Sequence, residues 1–137
     1  MASKLERYRY EPTDTTLTLT SDKVLHVQFG HATSDLHENT TESKWTKQKF
    51  DEIKSKYPDD YILVLLDMRN IGDAEFNSKE SNDLYREMLQ DEYTKKVAIV
   101  GISSGWELLL KFFLKFADNK MMSFKYEEEA RAWLVTD

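Results

Sequence analysis

Residues Lys95–Leu134 read KKVAIVGISSGWELLLKFFLKFADNKMMSFKYEEEARAWL and pack four elements in tight succession. Val97–Val100 is a short apolar run closed by Gly101, the pattern of a strand buried on both faces of a parallel sheet. A Ser-Ser-Gly loop leads into a helix that is apolar around most of its circumference. Met121–Phe124 reads as a second short strand, and Tyr126–Leu134 as a terminal helix with an acidic head. Strand, helix, strand, helix at this spacing is α/β architecture.

The segments before this unit extend the same scheme. YILVLL, Tyr61–Leu66, is another continuous apolar strand, and it runs into Asp67. Asn77 or Ser78, with Glu80, opens a helix whose apolar face is Leu84, Tyr85, Met88 and Leu89. Asn39 with Glu42 fits a capping pair for an earlier helix, striped by Phe50, Ile53 and Tyr57 and ended by Pro58. Thr15–Thr20 and Val24–Phe29 both alternate around the turn Ser21-Asp22-Lys23, which predicts a hairpin. His26 and Gln28 lie on the face opposite its apolar row. Residues 1–13 are expected to be a flexible arm or an early edge strand. The whole chain, 1–137, reads as one α/β domain with a mostly parallel central sheet and an N-terminal antiparallel hairpin. The expected element order is β-β-α-β-α-β-α-β-α. Ligands and partners of such a sheet meet the loops at the carboxyl ends of its strands, here 30–39, 67–77 and 101–105.

Composition narrows the function. The hydrophobic fraction of 40% supports one core, and the charged fraction of 32% suits a solvated surface. A net charge of −6 without a basic cluster argues against nucleic acid and against anionic lipid headgroups. Cysteine is absent, which removes disulfides, thiolate metal sites and a Cys nucleophile. The opening MASKLERYRYEPTD has no apolar signal core. Leu108–Ala117 is far shorter than the ~20 residues a membrane span needs. A cytoplasmic protein without a transmembrane segment is expected.

The helix after Gly101 carries an apolar surplus. At about 100° per residue, Glu107, Lys111 and Lys115 share one narrow strip. Trp106, Leu109, Leu110, Phe112, Phe113 and Phe116, with Leu108, Leu114 and Ala117, fill the remaining arc of roughly 240°. A helix on a sheet needs a stripe only a little over ~100° wide. Three readings stand side by side: a fully buried core helix, a self-association surface that makes a homodimer, or the wall of a pocket for a lipid or other apolar ligand.

Reactive chemistry is sparse. His31, Asp35, His37 and Glu38 share a polar loop, but His-x5-His matches no strong metal pattern, so solvated side chains are expected and no metal. His26 is expected to pack or hydrogen-bond within its strand. GISSG precedes a helix, yet it is neither G-x-G-x-x-G nor a Walker loop, and Ser104 with Glu107 makes an ordinary capping box. Asp67, Asp73 and Glu75 lack a second carboxylate cluster and a partnered nucleophile. Glu127-Glu128-Glu129 suits the positive end of a helix dipole. No catalytic residue and no cofactor are expected.

YILVLLDMRN, then KKVAIVG followed by Trp106-Glu107, then FKYEEEARAWL, stand in an order and spacing that resembles the SpoIIAA-like family. These STAS-related proteins are grouped with CRAL-TRIO/SEC14-like lipid-binding domains. The resemblance covers residues 61–134, and residues 15–57 in element order. It implies a small STAS-like domain, commonly self-associating, with no known catalytic reaction and with an unidentified protein partner. In the family's anti-sigma-factor antagonists a serine at the start of the second helix is phosphorylated, and the added charge breaks partner binding. The equivalent positions here fall near Phe76 and Asn77, and the D-S-S-G signature is missing. Ser78 is the neighbouring helix-start serine and the candidate phosphosite.

Overall fold

The computed structural model describes residues 3–30, 35–70, 78–101 and 120–136. Its strands are β1 (Lys4–Tyr10), β2 (Thr15–Thr20), β3 (Val24–Gln28), β4 (Ile62–Asp67), β5 (Thr94–Val100) and β6 (Met121–Phe124). The described helices are α1 (Leu36–Lys56), α2 (Lys79–Gln90) and α3 (Glu127–Val135). The six strands form one sheet in chain order, antiparallel from β1 to β3 and parallel from β3 to β6. The mixed α/β class and the N-terminal hairpin are as expected. The apolar helix expected between β5 and β6 lies outside the described residues.

The N-terminal segment is a strand rather than a flexible arm, which adds an element to the expected order. Its exposure alternates along Lys4–Tyr10. Tyr10 stacks on Trp45 of α1 at 5.3 Å between ring centroids, and Lys49 lies 5.0 Å over the Tyr8 ring. Lys56 donates to Glu6 at 2.8 Å. Each of these anchors repeats at every second residue, the period of a strand lying on a helix. Burial and the Glu38 acceptor push the Tyr10 hydroxyl up to about 12.

α1 begins earlier than the Asn39–Glu42 pair predicts. The Asp35 side chain is its cap and accepts from the amides of His37 at 2.9 Å and Glu38 at 3.3 Å. Asn39 and Glu42 are buried instead and hold neighbouring segments together. Asn39 Oδ1 accepts from the Ser78 amide at 2.9 Å. The Ser43 and Ser81 hydroxyls meet at 2.7 Å, so small hydroxyl residues let α1 and α2 approach closely. The apolar stripe of α1 covers only its lower half, at Phe50 and Ile53, because its upper half faces inward through Asn39, Glu42, Ser43 and Thr46. Pro58 follows the end of the helix, as expected.

Side-chain alternation gives the sheet two cores. Leu17, Leu25, Val64, Leu66, Val97 and Ile99 face α1 and α2, with Phe50, Ile53 and Met88. Val24, Leu63, Leu65, Ala98 and Val100 face α3 and its Ala130 and Leu134. Neighbouring strands in chain order explain this split. Right-handed crossovers that all step the same way place their helices on one side. The other side is left to α3. Among the described residues no helix is long and apolar enough to cross a membrane.

Glu42 is 6% exposed. The Thr13 and Thr15 hydroxyls both donate to its Oε2, the latter at 3.0 Å, and Gly30 donates its amide to Thr15 Oγ1. A Cβ at Gly30 would run into the Thr13 and Asp14 backbone, so only glycine fits there. Burial pushes the Glu42 carboxyl up, the two threonine hydroxyls oppose the rise, and Glu38 adds to it. The folded chain therefore holds this proton more tightly than the unfolded chain, and stability falls as pH rises through the carboxyl range. Glu42→Gln keeps an acceptor for both hydroxyls and removes the charge. Its melting temperature should exceed that of the wild type at pH 7–8, and the gap should close below the unfolded pKa of about 4.3. Thermal unfolding across pH measures both.

Candidate functional site

β4 ends on a carboxylate with nowhere to go but inward. All six of its residues are buried, and Asp67 is 1% exposed on the α3 side of the sheet. His26, two residues beyond Val24 on β3, lies on the same side. Its Nε2 donates to Asp67 Oδ2 at 3.0 Å. Arg69, just past the strand, donates to both Asp67 oxygens, Nε to Oδ1 at 2.9 Å and Nη2 to Oδ2 at 2.6 Å. The same Nη2 reaches Glu127 Oε1 of α3 at 2.6 Å. Arg131, one turn further along α3, donates from Nε to Glu127 Oε2 at 2.8 Å and from Nη2 to His26 Nδ1 at 3.2 Å. The five side chains close a ring: Asp67, His26, Arg131, Glu127, Arg69 and back to Asp67.

Gly101 makes room for it. Its φ is +81°, the left-handed region, and a Cβ there would strike the Arg69 side chain and lie 2.8 Å from the Arg69 amide nitrogen. Met68 also donates its amide to Val100 at 2.9 Å, which fixes the turn from β4 to Arg69 against the end of β5. At the far end of α3, Lys96 donates to the Trp133 carbonyl at 2.9 Å and to that of Thr136, and sits 4.8 Å over the Trp133 ring. A cation is favourable at a helix C-terminus, as an acid is at the N-terminus. The helix is thus held at both ends.

The electrostatics follow from this geometry. Burial opposes ionisation of Asp67, but the donors from His26 and Arg69 outweigh it and hold the carboxyl well below the usual carboxylate range. Burial likewise opposes ionisation of Glu127, and Arg131, His26 and Arg69 bring it down. One ligand atom each of His26, Asp67 and Glu127 lies within 4.8 Å of the others, a spacing that suits a divalent cation. Two guanidinium groups already bond those same carboxylates, so a cation would have to displace both.

The other sequence-derived positions divide in three. Ser78 caps α2, accepting from the Ser81 amide at 3.0 Å, and its hydroxyl also meets Thr40 Oγ1 at 2.6 Å. Glu128 and Glu129 stay exposed in the first turn of α3. Trp106, Leu109, Leu110, Phe112, Phe113 and Phe116 lie outside the described residues, as do His31, Asp73, Glu75, Ser104 and Glu107. Between α1, α2 and the sheet, a cavity of about 20 Å³ bounded by Thr46, Tyr85 and apolar side chains has room for one water and none for a lipid. Arg69 and Arg131 escaped the sequence reading. The available signal was a lone acid ending an otherwise apolar strand, because a carboxylate so placed needs donors nearby.

No protein-family model matches the chain, and no curated protein matches it.

Removal of the Asp67 carboxylate strips the acceptor from His26 Nε2 and from three Arg69 nitrogens, although the Arg69 side chain, 47% exposed, can turn to water. Asp67→Ala should cost about 2 kcal/mol at neutral pH. Because the folded pKa is depressed, that contribution is present above the unfolded pKa and fades as pH falls below it. Hydrogen exchange should rise first in residues 127–135. Gly101→Ala should cost at least about 1–2 kcal/mol for its left-handed backbone alone, with the clash on Arg69 added, read as a lower denaturation midpoint.

Proposed function

We propose that the chain is a non-enzymatic STAS-like (SpoIIAA-like) binding module that self-associates through the apolar helix expected at residues 104–117. The observation that carries the reading is the closed ring at the carboxyl ends of the parallel strands. Both nitrogens of His26 and all four oxygens of Asp67 and Glu127 already have partners within the protein. A general base needs a free lone pair within reach of a substrate proton. This one is spent on the fold, so binding rather than turnover fits the site.

The element arrangement adds support. An antiparallel hairpin runs into parallel strands, with an acidic-headed helix after β6, a coarse α/β arrangement compatible with the resemblance, to which β1 adds a strand. Ser78 supports a phosphoswitch less well. Its hydroxyl is committed to the α2 cap and to Thr40, and a phosphate would have to break both bonds.

The test is association measured by sedimentation velocity across a wide concentration range. Wild-type protein should associate. Phe112→Glu should lower its average sedimentation coefficient at a given concentration, with its far-ultraviolet circular dichroism unchanged. A wild-type chain that stays monomeric counts against the reading.

A further inference from the structure

Among the described residues α3 is the helix on its side of the sheet. It packs on β4, β5 and β6 and reaches His26 at the near edge of β3 through Arg131. Over β1–β3 the same side shows the cross-strand rows Arg7–Thr18–His26 and Arg9–Thr16–Gln28, with Arg7 and Arg9 exposed; Leu5, also exposed, sits at the register shift between Lys4 and Glu6 at the amino end of β1. Beyond Arg131, the two strands β1 and β2, spaced about 4.8 Å apart, present a strip about 10 Å wide. A helix with its side chains is about 10–12 Å across. Among the described residues the open strip is about one helix wide.

The outer side of α3 has a matching order. Glu128, Ala132 and Val135, at i, i+4 and i+7, form an exposed stripe beside Glu129. α3 runs from the carboxyl end of the parallel strands, where Glu127 holds Arg69, to the amino end, where Lys96 holds its last carbonyls. β1 runs the same way as β3, since β2 is antiparallel to both. Arg9 therefore lies toward the carboxyl end and Leu5 toward the amino end. Strip and helix both go from charged to apolar along one axis, with opposite charges. Leu5 and Val135 are 49% and 51% exposed, two of the largest apolar exposures among the described residues.

We propose that a second copy of this chain covers the open strip, related by a two-fold axis parallel to the strands, so that each copy's α3 lies across the other's β1 and β2. That operation keeps positions along the strands and exchanges the two sides of the sheet. It brings Glu128 and Glu129 of one copy over Arg7 and Arg9 of the other, and Val135 over Leu5. Arg9 also donates to Asp14 at 2.5 Å, in an exposed pair that leaves its other nitrogens available. The contact is isologous, so both strips are covered at once. It uses no residue between 104 and 117 and stands apart from the surface proposed above.

The chain has no cysteine, so single introduced thiols report the contact directly. Leu5→Cys protein mixed with Val135→Cys protein and a short bis-maleimide should give a product joining the two variants, in excess over either variant alone. Arg7→Glu/Arg9→Glu in both should lower its yield about tenfold, the effect of about 1.4 kcal/mol. Adding Glu128→Arg/Glu129→Arg should restore it. Phe112→Glu should leave the product in place. No joined product, a yield indifferent to charge reversal, or loss of the product with Phe112→Glu alone would each overturn the proposal.

Discussion

A parallel sheet whose strands are neighbours in chain order cannot cover both of its faces with crossovers. Every right-handed connection that steps in the same direction lands on the same side. In this chain α1 and α2 take one side and supply the larger core, and the other side falls to whatever follows β6. The ninefold-residue helix α3 is that cover. Its hydrophobic contribution is modest, with Ala130 and Leu134 as its fully buried apolar side chains. Burying a leucine is worth only about 1.5–3 kcal/mol. Polar contacts at its two ends complete the attachment, the five-residue ring at its start and Lys96 at its finish.

The ring shows how a buried carboxylate becomes tolerable. An isolated Asp67 would have to give up its charge or leave the interior. With three donors from Arg69, its backbone amide among them, and one from His26, it remains ionised. The arginines also bring Glu127 into the same network, where both of its oxygens are used. A polar network is an asset only when every member is satisfied, and this one nearly meets that standard. Glu42 is the contrast. It is equally enclosed but faces hydroxyls rather than cations, and burial dominates its titration.

Much of the framework was legible in the residues. YILVLL and VAIV announced interior parallel strands by continuous apolarity, and TTLTLT announced a half-wet hairpin by alternation. Ser78 announced the start of α2, and the triple acid that of α3. β1 was harder, since KLERYRY keeps its period of two in tyrosines and charges rather than in aliphatics. The opening of α1 misled because Asn39 and Glu42 have the chemistry of a cap. Their real partners, Ser78 and Thr13, are 39 and 29 residues away. His26 lies opposite the leucine row, as the alternation of Val24–Phe29 predicts, and Asp67 ends an apolar strand. That they touch each other, and that Arg131 closes the circuit, depends on strand register and helix placement that local periodicity does not encode.

Three of that circuit's five links join residues separated by 41, 58 and 105 positions. Each such closure requires the intervening chain to be gathered in, at an entropic cost that grows with the loop. Local turns and the hairpin can form without it. The clasp on the C-terminal helix is therefore expected to form after the turns and the hairpin. Interactions absent from a folding transition state govern how slowly a native structure comes apart rather than how fast it assembles. A ring of five polar side chains on the thinner face thus acts as a brake on departure from the native state.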